Sequence, residues 1–240
     1  MIDAHLLKLR ARDSVSPAEE AAIRTAAAGE VREYPADRTI IRAGEELSAS
    51  TLLLDGMVCR YKDLRDGQRQ ITELHLSGDF VDLHSFTLKR LDHNIMTLTP
   101  CRVVLVPHER LQAITEEHPH LTRLYWFMTN LDAAIHREWV LSLGRRSALS
   151  RVAHLFCELH VRLGVIGLTD EDSYDLPLTQ TDLAECLGLT AVHINRTLKE
   201  LRTRGLVEFR GKRVVIEDLE ALKRVAEFNP AYLYLERRPR

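Results

Sequence analysis

The sequence predicts an α+β chain in three parts: an N-terminal β-roll of jelly-roll type, one long helix, and a C-terminal winged helix-turn-helix. Three observations carry this reading. Residues 31–107 break into short β-like runs cut by glycine turns. Residues 119–143 run with no Gly or Pro after Pro119. Residues 178–213 hold two short helical stretches about a glycine, followed by a strand pair. The expected boundaries are 1–118 for the roll with its N-terminal helices, 119–144 for the long helix and hinge, 145–220 for the winged helix-turn-helix, and 221–240 for a C-terminal helix and tail.

Size and composition agree with such a chain. Its 240 residues are 45% hydrophobic and 28% charged, ordinary for a folded protein of one or two domains. A membrane span needs about 18 consecutive apolar residues, and no run approaches that. The opening MIDAHLLKLRARD lacks the apolar core of a secretory leader, so a cytoplasmic protein with no membrane partner is expected. Cys59, Cys101, Cys157 and Cys186 form no CxxC pair, which argues for reduced core thiols over a disulfide framework or metal cluster. Cys186 lies between two helices of the C-terminal motif, where oxidation would distort it; a buried small thiol is the simpler reading.

Taken in order, Ser16, Pro17 and Gly29 delimit a helix over 17–28 as cap, first-turn residue and terminator. TIIRAG, TLLLDGMVCRYK, QRQITELHLSGDF and CRVVLVP then read as strands, with Asp66-Gly67 as a hairpin turn that needs positive φ. Many short strands with regular turns imply a roll, barrel or sandwich.

In 119–143, Leu121, Leu124, Met128, Leu131 and Ile135 recur at spacings of three and four. That is the a/d seam of a short coiled coil, so Leu124, Met128, Leu131 and Ile135 are the expected dimerisation residues of a homodimer. Trp126, Phe127, Ala133 and Ala134 lie on other faces. Gly144 is expected to end the helix and Arg145-Arg146 to form a hinge. A second helix follows over 147–163.

Thr179 and Thr190 are placed to cap two helices joined at Gly188, with Leu183, Ala184, Leu187, Ile194, Thr197, Leu198 and Leu201 facing inward. The outward face of the second helix carries Ala191, Val192, His193, Asn195, Arg196 and Lys199. Arg and Asn are the side chains that read guanine and adenine edges in the major groove of double-stranded DNA. Arg210-Gly211-Lys212 forms the tip of a wing suited to backbone phosphates. Net charge is −2, yet residues 190–213 carry seven basic and two acidic side chains, a local excess that fits a phosphate-contacting surface. The candidate DNA-binding set is Thr179, Gln180, Thr190, Ala191, Val192, His193, Asn195, Arg196, Lys199, Arg210 and Lys212.

The order of roll, long helix, helix pair and wing resembles the CRP/FNR superfamily of bacterial transcription regulators across nearly the whole chain. The motifs that carry the resemblance are LTQTDLAECLGLTAVHINRTLKELRTRGLV and the LSGDF turn at 76–80. It implies a cyclic-nucleotide-binding-like roll, a dimer on an inverted-repeat promoter site, and RNA polymerase as a partner if the protein is an activator. The family's recognition helix typically carries Glu, then Ser or Gly three positions on, then Arg. Here Val192, Asn195 and Arg196 stand in those places, so the Arg carries over and the Glu does not.

The same resemblance nominates an effector pocket at Asp82, His84 and His93. Asp82 and His93 replace the sugar-binding Glu and phosphate-binding Arg of the cyclic-nucleotide members, and neither matches a guanidinium fork for a cyclic phosphate. cAMP is therefore not expected. An iron–sulfur cluster is not expected either, because no Cys precedes Cys59. No cofactor or metal is assigned, and the controlling signal is left open. The alternative from another class is a cupin-like metal-dependent enzyme with a fused helical domain. It would need His and Glu ligands on adjacent strands, and 51–107 shows no such HxH-plus-Glu arrangement.

Overall fold

A computed structural model describes residues 2–240. Two short helices come first, α1 (Asp3–Arg10) and α2 (Pro17–Ala26). Ser16 caps α2 reciprocally with Glu19: each side chain takes the other residue's backbone N–H. Strands β1 (Val31–Tyr34), β2 (Thr39–Ile41), β3 (Ala49–Asp55), β4 (Met57–Asp63) and β5 (Arg69–Leu76) follow. After the four-residue helix α3 (Ser85–Leu88) come β6 (Asn94–Thr97) and β7 (Cys101–Pro107). These strands form two sheets, ordered β1-β7-β3 and β2-β6-β4-β5.

Strand alternation explains how the sheets are covered, because neighbours along a strand point to opposite faces. Leu53 and Val103 join Ile41, Val58, Val81 and Ile95 in the interior of the roll. Their neighbours Leu52 and Val104 face a second core built with α1, α2, α4 (His108–Glu117) and the start of α5 (Pro119–Arg145). The β4–β5 hairpin closes over Leu64–Gln68, where Gly67 takes φ +84° and Asp66 Oδ1 accepts the Gln68 N–H at 3.0 Å.

After α5 come α6 (Ala148–Gly164), β8 (Ser173–Asp175), α7 (Gln180–Leu187), α8 (Ala191–Thr203), β9 (Val207–Arg210), β10 (Arg213–Ile216), α9 (Leu219–Ala226) and a 3-10 turn at Pro230–Leu233. The third sheet has the order β8-β10-β9. Helix α6 is its foundation: Val152, Ala153, Leu155, Phe156, Cys157, Leu159 and Leu163 are all buried.

The chain divides into two compact units: residues 1–62, 73–133 and 234–240 in one, 63–72 and 134–233 in the other. This differs from the expected boundaries. The division falls inside α5, and the hairpin tip joins the unit that holds the helix-turn-helix. Gly144 does not end the helix, which continues to Arg145. Nor is 145–146 a free hinge: the Arg146 side chain is 7% exposed and donates to Glu138 at 2.5 Å.

The expected dimer seam is also corrected. Leu124 is fully buried, Leu131 and Ile135 nearly so, and Met128 packs on the core that contains Leu121 and Tyr125. An a/d-like spacing reports an apolar stripe without saying what covers it, and here the chain itself covers it. The exposed face of α5 carries Trp126, Asn130, Ala133, Arg137 and Val140, again at spacings of four and three. Trp126 is 69% and Val140 70% exposed.

Candidate nucleic-acid interface

Helix α7 begins at a full capping box. The Thr179 hydroxyl accepts the Asp182 N–H at 3.1 Å, and the Asp182 carboxylate accepts the Thr179 N–H at 2.7 Å. It ends at Gly188, whose left-handed φ of +59° a side chain adopts only under strain. The carbonyls orphaned at this end are all taken up. Gln70 Nε2 donates to Glu185 O at 2.7 Å and Cys186 O at 3.2 Å, and Arg151 Nη1 donates to Leu187 O at 3.0 Å. Thr190 then caps α8 by accepting the His193 N–H at 3.2 Å.

The two helices meet through Leu183, Ala184, Leu187, Ile194, Thr197 and Leu201, all buried, with Leu198 half-buried. What remains outward is the expected set: Ala191, Val192, His193, Asn195, Arg196 and Lys199 are exposed, as are Thr179, Gln180 and Thr190. Val192 is 77% exposed, an unusual position for a large apolar side chain at a helix start. Asn195 Nδ2 lies 3.5 Å from Gln180 Oε1, a long contact that leaves the amide able to turn to another partner.

The wing follows from its turn. Arg210 pairs with Arg213 across β9 and β10, so Gly211 and Lys212 are the two residues of the loop. Both have positive φ, +60° and +62°, as a two-residue type I′ hairpin requires. Arg210 and Lys212 are exposed at its tip.

Ion pairing separates two kinds of basic residue here. Arg204 is neutralised by Glu200, and Arg213 by Asp170 and Asp175. Among the described residues, Arg196, Lys199, Arg210 and Lys212 have no carboxylate within ion-pair distance, so their charge is available to an anionic partner.

The nominated effector residues fall elsewhere, in the roll. Asp82 is fully buried, and its Oδ1 accepts the Thr51 N–H at 2.5 Å. Burial pushes this carboxyl up to about 7. The His84 and His93 rings stand 5.4 Å apart, and burial lowers the His93 pKa although its Nδ1 lies 2.9 Å from Asp92. A cavity in the roll, about 190 Å³ and open to solvent, is lined by residues such as Tyr34, Ile41, Glu45, Ser48, Thr51 and Val103, and by none of these three. A charge that acts on both Asp82 and His93 belongs to Arg60, which sequence reasoning missed. Its signal was a charged residue inside an otherwise apolar strand run, MVCRY, matched by Glu73 in ITEL.

Among the described residues, no group of three or more His, Cys, Asp or Glu is placed to hold a metal ion, and no helix is long and apolar enough to cross a membrane. All four cysteines, Cys186 included, are buried thiols.

Comparison with known proteins agrees with this architecture. The Cyclic nucleotide-binding domain family matches residues 31–118 and the Crp-like helix-turn-helix domain family residues 150–225. A "Probable transcriptional activator" of Rhizobium leguminosarum is 30% identical over 197 residues, 81% of this chain and 80% of its own. The transcriptional activator protein FnrL of Cereibacter sphaeroides is 29% identical over 190 residues, 77% of this chain and 75% of its own. The solved structure of FixK2 from Bradyrhizobium japonicum superposes with a TM-score of 0.75 at 27% identity, covering 82% of this chain and 96% of that one. With a roll and a Crp-like helix-turn-helix in the same order, and a relative 30% identical across four-fifths of each chain, the chain belongs to the CRP/FNR superfamily of transcription regulators.

Proposed function

We propose that this regulator binds an inverted-repeat promoter site as a homodimer, with α8 in the major groove and the β9–β10 wing on the backbone. The observation that carries the reading is the exposed face of α8, where Asn195, Arg196 and Lys199 stand together with no competing carboxylate. Arg196 is the candidate reader of guanine and Asn195 of adenine. Val192, fully outward and apolar, suits a thymine methyl. Thr179, Gln180, Thr190, Ala191, His193, Arg210 and Lys212 serve as positioning contacts to phosphate and sugar.

Dimerisation is assigned to the exposed stripe Trp126, Asn130, Ala133, Arg137 and Val140 in place of the buried Leu124, Leu131 and Ile135. An aromatic and a β-branched residue left in water on one helix face are a cost that a second copy of the helix would remove. Two copies would present recognition helices about 34 Å apart, one turn of B-DNA. A cytoplasmic location and, since two relatives are named activators, RNA polymerase as a partner accompany this reading.

The test is a randomised-site selection with the wild type and Arg196→Ala. An inverted repeat whose guanine preference vanishes in the variant supports the assignment. An unchanged selected motif would mean that α8 is not the reader.

A further inference from the structure

The roll holds a charge cluster that DNA binding leaves unused. Arg60 projects from β4 into the interior and is 3% exposed. Its guanidinium meets three acceptors, one on β5, one on α5 and one in the loop before α3. Nη1 donates to Glu73 Oε2 on β5 at 2.6 Å, Nη2 to Asp132 Oδ2 on α5 at 3.0 Å, and Nε to the Val81 carbonyl at 2.8 Å. Glu73 is fully buried, and His75 Nε2 lies 3.6 Å from the same carboxylate oxygen. Asp82 and His93, the residues nominated for an effector, both feel the Arg60 charge.

A buried ion pair is a weak source of stability, because an apolar set of equal volume would do as well. What the guanidinium fork adds is geometry: one rigid group fixes two carboxylates on separate elements at set angles. The two carboxylates are not equivalent. Glu73 is sealed in the roll, whereas the Asp132 side chain retains 24% exposure. The Asp132 contact can therefore break into water while the Arg60–Glu73 pair stays intact.

We propose that Arg60 acts as a built-in ligand: anchored on Glu73, it grips Asp132 and couples the roll to α5 without a diffusible effector. The proposal rests on the DNA-binding reading above for its biological output, though the coupling itself is measurable without DNA.

The experiment uses full-length protein in which native mass spectrometry detects no bound small molecule, with DNA selected by the wild type. The variants are Asp132→Asn, which keeps the buried Arg60–Glu73 pair, and Asp132→Glu as the conservative replacement. Wild type should bind the DNA with nothing added. Asp132→Asn should keep amide protection in β4 and β5, lose it in 119–133, and bind about tenfold more weakly, within the usual span of site-to-site coupling. Asp132→Glu should restore both. Wild-type affinity and protection in Asp132→Asn would overturn the proposal. So would a wild type that binds only after the small-molecule fraction of a cell extract is supplied. A wild type that binds no DNA under either condition would refute the DNA-binding reading instead, and protection of 119–133 in Asp132→Asn would still decide the coupling.

Discussion

The indole N–H of Trp139 donates to the Glu158 carboxylate, 3.1 Å from Oε2 and 3.3 Å from Oε1, with both residues buried. The same carboxylate accepts from Arg162 Nη1 at 3.0 Å and from the Tyr232 hydroxyl at 2.8 Å. Burial, with the Glu158 charge adding to it, raises the Tyr232 pKa and keeps that donor protonated. One fully buried carboxylate thus ties the C-terminal part of α5 to α6 and to the 3-10 turn, all within one unit.

Trp139→Phe keeps the aromatic bulk and removes one charge-assisted hydrogen bond, a loss of about 1.5–3 kcal/mol. Glu158→Leu removes the acceptor shared by three donors and should cost more, about 3–5 kcal/mol. Native-state amide exchange of α6 is the measurement. Equal effects of the two substitutions would mean that the carboxylate is not the hub.

A charge on the exposed stripe of α5 should act on assembly alone. Val140→Lys is expected to give a folded monomer in sedimentation at micromolar concentration, with weakened DNA binding. Leu131→Ala removes a buried side chain and should instead destabilise the fold by about 2–5 kcal/mol. If Leu131→Ala dissociated the protein at undiminished stability while Val140→Lys stayed dimeric, the seam would be the buried one after all.

Asp82 gives stability a pH dependence of predictable sign. Its carboxyl titrates near 7 in the folded chain against an ordinary 3.8, because burial disfavours the charged form. Between those values the folded state binds more protons than the unfolded state, so stability falls as pH rises across the window. Asp82→Asn retains an oxygen for the Thr51 N–H and carries no charge at any pH. Its advantage over wild type should grow from about pH 4 to pH 7 and then level off, by a few kcal/mol in all. Parallel melting curves of the two proteins between pH 4 and 8 would contradict this.

At the DNA surface, Arg196→Ala should cost about 1–3 kcal/mol on the selected site and flatten preference at one base pair. Lys212→Ala should weaken all sequences alike and reduce the salt slope by about one. Fluorescence-anisotropy titrations at several salt concentrations separate the two. A sequence-dependent loss at Lys212 would make the wing a base reader.

The helix-turn-helix was the most legible part of the chain. Its signals are local: Thr179 and Thr190 cap, Gly188 turns, and the 3.6-residue period divides Ile194, Thr197 and Leu201 from Asn195, Arg196 and Lys199. The exposed face of α8 is written in the sequence as the polar positions of that period. The roll was legible as strands and turns for the same reason, since alternation and Gly67 act over a few residues.

What covers each apolar face was not legible. Leu124, Leu131 and Ile135 have the spacing of a dimer seam, but spacing does not distinguish a partner helix from the chain's own core. Only the packing of α5 shows those residues covered and Trp126 and Val140 exposed. Nor was the charge cluster of the roll legible. Glu73 and Asp132 lie 13 and 72 positions from Arg60 in the chain, and only tertiary structure brings the three to one point. By itself the sequence determined the elements, their order and the outward face of α8, because caps, turns and periodicity are short-range. The tertiary structure decided which apolar stripe is left exposed and which charges meet in the roll, because burial and ion pairing depend on contacts between residues far apart in the chain.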